Sequence, residues 1–199
     1  MTDSSTKNLY VLPLVADSLY SSHIPPNFLC LSHTTLKFDI VCINVLSDIE
    51  KKISLRQTLE TSTPELRSFF RGKKCIVECA INALTKLISM DTSGKSSSLA
   101  DEYDLLVERE GIKKCTMKYV ERRFTNIGTT AASIRGNLDM YEKLLNETTR
   151  NNLLVRASKL YISCEYIICA LTCLAYFTFK IGMPFLNLIQ QSSQAELME

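Results

Sequence analysis

The residues of this chain best suited to chemistry are its eight cysteines and two histidines. Cys75 and Cys79 lie four apart, as do Cys169 and Cys173, a spacing that puts both thiols of a pair on one face of a helix. Two such pairs could assemble a four-thiolate zinc site. The usual structural-zinc spacing, with two residues between cysteines on a knuckle, is absent. His23 and His33 fall in an irregular N-terminal stretch, and neither adjoins a cysteine or carboxylate as a recognised nucleophile motif requires. Cysteine in a helical pattern commonly serves as a small buried apolar residue, and that is the reading preferred here, with no metal and no cofactor expected. The chain contains no phosphate-binding loop, dinucleotide-type glycine motif, His-Glu-x-x-His or Gly-x-Ser-x-Gly, so it reads as non-enzymatic with no catalytic residue assigned.

Basic side chains are the second candidate. Arg71, Lys73 and Lys74 form one cluster, and Lys113, Lys114, Lys118, Arg122 and Arg123 form another that could contact nucleic-acid phosphates. Glu108, Glu110 and Glu121 dilute the second cluster, and 23 basic against 21 acidic residues leave a formal charge of only +2. So even a balance does not demand a polyanionic partner, and a solvated helix face is the simpler reading.

The elements that would position these residues are helical. From Phe38 the apolar positions Val41, Cys42, Val45, Ile49 and Ile53 recur at spacings of three and four, predicting one buried helix face. Thr63-Pro64-Glu65 supplies a cap, a tolerated first-turn proline and a favourable acid, predicting a helix start that pauses at Gly72. Ile76, Val77, Ala80, Leu84, Leu87 and Ile88 give a wide apolar stripe, and residues 91–98 read as a loop. Ser98 with Asp101 resembles a capping box, and Gly111 can end the helix it opens. A basic helix through Met117 and Phe124 follows. Either threonine after Gly128 could cap a helix carrying Ala131, Ile134, Leu138, Tyr141 and Leu145. Asn151 or Asn152 then opens the last long element.

From Leu153 to Phe179 no proline or glycine interrupts the run, which as one helix would span about 40 Å before Gly182 and Pro184 stop it. Its part from Tyr166 to Phe179 carries no charge. Extended to Ile189 it reaches the length of a membrane span, so a single-pass protein anchored near 166–189 is an alternative. Glu165, Lys180 and Pro184 argue instead for a helix buried in a bundle.

The expected fold is therefore mainly α. An irregular arm over 1–35 precedes a helical domain over 36–199, an irregular bundle around a long apolar C-terminal helix. The first apolar stretch, Leu9 to Ala16, is short, contains Pro13 and runs into Asp17, so it does not read as a signal peptide. Free thiols then fit a reducing compartment, nucleus or cytoplasm, with the membrane as runner-up.

From Lys118 the chain reads Arg122-Arg-Phe-Thr-Asn-Ile-Gly128-Thr-Thr-Ala131-Ala132-Ser133, then Leu144-Leu145-Asn-Glu-Thr-Thr and Asn151-Asn152-Leu-Leu-Val155. It ends on Ala175-Tyr-Phe177-Thr and Met183-Pro184-Phe-Leu-Asn187. Over about residues 65–199 this resembles a group of uncharacterised animal proteins associated with hAT-type, transposase-derived genes. The resemblance implies a part of a larger protein, since members continue well past the Pro184 stretch. It also implies a ribonuclease-H-like core with metal-binding acids, none of which can be placed on this sequence. Together these readings predict a non-enzymatic helical interaction or scaffold module with a protein partner or self-association. A nucleic-acid-binding remnant and a membrane anchor are the alternatives.

Overall fold

The computed structural model describes residues 31–89, 98–111 and 127–184. Among them every regular element is helical and no strand occurs, so the chain is mainly α and carries a long apolar C-terminal helix. Helix α1 (Leu31–Lys52) begins four residues before the boundary expected at 35, and Lys51 and Lys52 in its last turn suit the negative end of its dipole. Ser54, in the left-handed region at φ 51°, turns the chain into α2 (Leu55–Ser62). Pro64 then opens a helix as expected, but one of 3-10 type (Pro64–Phe70). Thr63 does not cap it: its hydroxyl donates backwards to the Leu59 carbonyl at 2.9 Å and finishes α2 instead.

The chain continues through α3 (Ile76–Leu87), α4 (Ala100–Glu110), α5 (Ile127–Gly136) and α6 (Leu138–Glu147). It closes with α7 (Leu153–Ser163), α8 (Glu165–Phe177) and a π-helical extension over Thr178–Gly182. Gly111, at φ 63°, ends α4 as the sequence suggests. The capping box does not form, because the N-cap position falls on Leu99, which makes no side-chain bond; Ser98 before it is buried, and its carbonyl accepts from Arg150 at 2.9 Å. Asn152 does cap α7, its Oδ1 accepting from the Val155 N–H at 3.0 Å. The helix expected through Ala131 and Leu145 is two, α5 and α6, divided at Asn137.

The position wrapped on all sides belongs to α3, ten of whose twelve residues are buried. The apolar stripe foreseen there is the centre of the core, enclosed by α1, α5, α7, α8 and the 3-10 helix. Tyr161 of α7 stands edge-on to Phe70, with ring centroids 6.2 Å apart, and its hydroxyl donates to the Phe69 carbonyl at 2.7 Å. Tyr161→Phe keeps the ring and drops that bond. It is expected to lower the unfolding free energy by about 1–2 kcal/mol in urea titration, with an unchanged slope.

The run expected as one helix from Leu153 to Phe179 is broken at Cys164, whose backbone is extended (φ −89°, ψ 107°). No glycine or proline causes the break. The two halves serve different neighbours, α7 packing on α3 and the 3-10 helix while α8 packs on α5. Glu165 then sits in the favourable first turn of the new helix. Gly182 does not stop that helix, since Met183 and Pro184 are still helical.

Helix α1 corrects a second expectation. Val41, Val45, Ile49 and Ile53 are exposed, and the inward face is Cys42, Ile43, Leu46, Ser47 and Glu50. Two carboxylates on that face explain the orientation. Glu50 is buried and accepts from the first two N–H groups of α3, Ile76 at 2.6 Å and Val77 at 3.2 Å. Asp39 accepts from Ile127 at the start of α5 at 2.9 Å. Helix N-termini carry unsatisfied N–H groups, so a polar stripe outcompetes an apolar one for the inside. The cap of α5 thus comes from α1 rather than from Thr129 or Thr130.

Candidate functional site

Helix α8 with its extension, Glu165–Gly182, is long and apolar enough to cross a membrane by length and composition, yet only one third of it is buried. Its inner side places Ile167, Ala170, Leu171 and Leu174 in the core. The approach to α5 is close: a Cβ on Gly128 would lie 1.6 Å from Thr178 Oγ1 and 3.0 Å from the Leu174 carbonyl oxygen. Thr178 is buried and opens the π turn, so the widened turn begins where the helices need most room.

On its outer side Arg135 of α5 donates through Nε to Thr172 Oγ1 at 3.2 Å, and the strip around that contact is open to solvent. Glu165, Cys169, Thr172, Cys173, Tyr176 and Lys180 are all exposed, at successive steps of three or four with Thr172 and Cys173 adjacent. Phe179, Ile181 and Met183 widen the strip toward the C-terminal end, where Tyr176 is 64 % and Phe179 53 % accessible. An apolar strip of aromatics along a helix is the kind of surface that takes the apolar stripe of another helix. A helix without charge over fourteen residues gives no periodicity from which its outer face could have been read.

The cysteine pairs separate. Burial pushes the Cys75 thiol up to about 12 and that of Cys79 up to about 11, so both stay protonated core residues. Cys169 and Cys173, expected buried, are exposed. The two pairs do not converge, and no cluster of three or more metal-ligating side chains occurs among the described residues.

Of the basic clusters, Lys113, Lys114, Lys118, Arg122 and Arg123 lie outside the described residues. Arg71 and Lys73, joined by Lys86, line a shallow hollow of about 170 Å³ with Ser68 and Asn82. Arg71 spends two of its nitrogens on Glu60, at 3.1 and 3.0 Å, and Lys74 donates to Asn44 instead of joining the hollow. Arg56 fixes the loop by donating to the carbonyls of Lys73 and Lys74 at 3.0 and 3.3 Å. What remains is a small patch of positive charge, partly cancelled. Compared with family models, with curated proteins and with solved structures, the chain finds no match in any of the three.

Proposed function

We propose that this chain is a non-enzymatic helical interaction module whose docking surface is the outer side of α8. The observation that carries the reading is the apolar stretch Glu165–Gly182 packed on one side only, with Tyr176 and Phe179 held out as anchors. Aromatic side chains of this kind supply most of the energy of helix-to-helix recognition. The exposed row Val41, Val45 and Ile49 on α1, continued by Ile53 just past its end, offers a second, narrower apolar face. The likeness to transposase-derived proteins fits such a module as a helical part of a larger protein.

A membrane-spanning reading is favoured by the length and composition of the same stretch. Crossing a bilayer would require pulling Ile167, Leu171 and Leu174 out of the core, each worth about 1.5–3 kcal/mol of burial. A partner covers the outer side without that cost. The nucleic-acid reading rests on the second basic cluster and is tested by duplex binding that weakens with salt.

Cys169 and Cys173 report directly on the docking face. In the assembled state both thiols are expected to be protected from maleimide, and Tyr176→Asp with Phe179→Asp is expected to expose them. That double variant should change folding stability by no more than about 0.5 kcal/mol, because neither side chain is in the core. Full maleimide reactivity of the wild-type thiols in extracts of cells expressing the chain overturns the reading, and so does carbonate-resistant membrane retention.

A further inference from the structure

The structure assigns the hollow beside α3 to the phosphate group of a phosphate monoester. Helix α3 is the enclosed centre of the fold, and of its twelve residues only Asn82 and Lys86 escape burial. They lie four apart on one face of the helix, and both line this hollow. Ser68 of the 3-10 helix, with Arg71 and Lys73 of the loop that follows it, completes a space of about 170 Å³. Three elements thus bring hydrogen-bond donors to one small volume, and among the described residues no carboxylate lines it.

Those donors are unspent, while the acceptors near them are occupied. The Ser68 hydroxyl, the Asn82 side-chain amide and the Lys86 ammonium have no hydrogen bond or ion pair among the described residues. Arg71 gives Nε and Nη2 to Glu60 and keeps Nη1. Glu60 is itself shared with Arg67 at 3.7 Å. An exposed ion pair of this kind is weak, so an anion can draw Arg71 over at little cost. The carbonyls of Lys73 and Lys74 accept from Arg56 at 3.0 and 3.3 Å, which also fixes the loop.

The ligand class follows from this donor set. Donors on three elements suit a tetrahedral group with three terminal oxygens, whereas a planar carboxylate offers two. Arginine and lysine bind such oxygens through charge-assisted hydrogen bonds. Near neutral pH a monoester carries close to two negative charges, and a diester in a nucleic-acid backbone carries one. A phosphorylated side chain and a small organic phosphate present the same group. The assignment is independent of the docking role of α8.

Heteronuclear NMR of the full chain at low salt is the test, with the Asn82 side-chain amide as reporter. N-acetyl-phosphoserine amide and glycerol phosphate are the monoester probes, and a dinucleoside monophosphate is the diester. Each monoester is expected to shift the Asn82 amide saturably, and to bind more tightly at about pH 7.5 than at about pH 5, because its second proton leaves near pH 6. Lys86→Ala is expected to weaken binding about tenfold, and Asn82→Ala, read at the Ser68 backbone amide, about threefold. Neither side chain is in the core, so both variants should keep the wild-type circular dichroism. Lys74→Ala removes an equal charge next to Lys73 that does not line the hollow, and should leave binding unchanged. The tighter monoester names the source, and equal binding shows that the phosphate alone is read; each upholds the site. A diester that binds as tightly, a Lys74→Ala loss equal to that of Lys86→Ala, or the absence of a saturable shift at Asn82 overturns it.

Discussion

Replacing Gly128 by alanine is expected to destabilise the protein by about 2 kcal/mol or more, even though alanine is the better helix former by about 1 kcal/mol. The new Cβ would sit 1.6 Å from Thr178 Oγ1, 2.7 Å from Thr178 Cβ and 3.0 Å from the Leu174 carbonyl oxygen. Rotation of the threonine hydroxyl relieves the first contact only. The other two are relieved by moving α8 away from α5, which opens the packing around Ala170, Leu171 and Leu174. Urea unfolding of G128A measures the loss.

A double-mutant cycle separates this overpacking from a general effect on the helix. Thr178→Ala removes the hydroxyl that faces Gly128 and keeps the Cβ, so G128A/T178A is expected to recover part of the loss, with a favourable coupling of about 1 kcal/mol. Gly136, by contrast, has nothing within 4 Å of the site of a Cβ. Gly136→Ala in the same helix is therefore expected to be neutral or mildly stabilising. Equal losses at the two glycines would show that α5 does not depend on the close crossing with α8.

The contrast between α3 and α1 shows which parts of this fold a sequence displays. In α3 the residues Ile76, Val77, Ala80, Leu84 and Leu87 are apolar and inward, so periodicity and burial agree. In α1 the same pattern in Val41, Val45 and Ile49, continued by Ile53 just past the helix, faces outward. Its inward face is defined by N–H groups of helices that begin 26 and 88 residues later, which no local pattern reveals. The break at Cys164 is equally silent, since it answers to two different packing partners rather than to a helix-breaking residue. Of the α8 face, the charges at its ends were readable from the start. Which side of an almost uniformly apolar helix would be left uncovered depended on where α5 settled.

The two carboxylates of α1 give the second large effect. Asp39 and Glu50 are 11 positions apart, three turns of helix or about 16 Å, and so share one face. Glu50→Ala removes the acceptor of two N–H groups at the start of the central helix and is expected to cost about 2–4 kcal/mol. Glu50→Gln restores only one acceptor oxygen and should fall between. The pH dependence has a definite sign. Burial pushes Asp39 up from 3.8 to about 6 against the opposing bond from Ile127, and burial likewise raises Glu50. Between the unfolded and folded values the native state holds protons that the unfolded chain has released, so stability falls as pH rises. For Asp39 the full contribution is present below about pH 4 and is lost by about pH 6. Asp39→Asn keeps an oxygen for the Ile127 N–H and has no charge to desolvate. It is therefore expected to be at least as stable as the wild type at pH 7.5 and to flatten the slope between pH 4 and 6. A slope of the opposite sign that Asp39→Asn abolishes would mean that attraction to the start of α5 outweighs burial there.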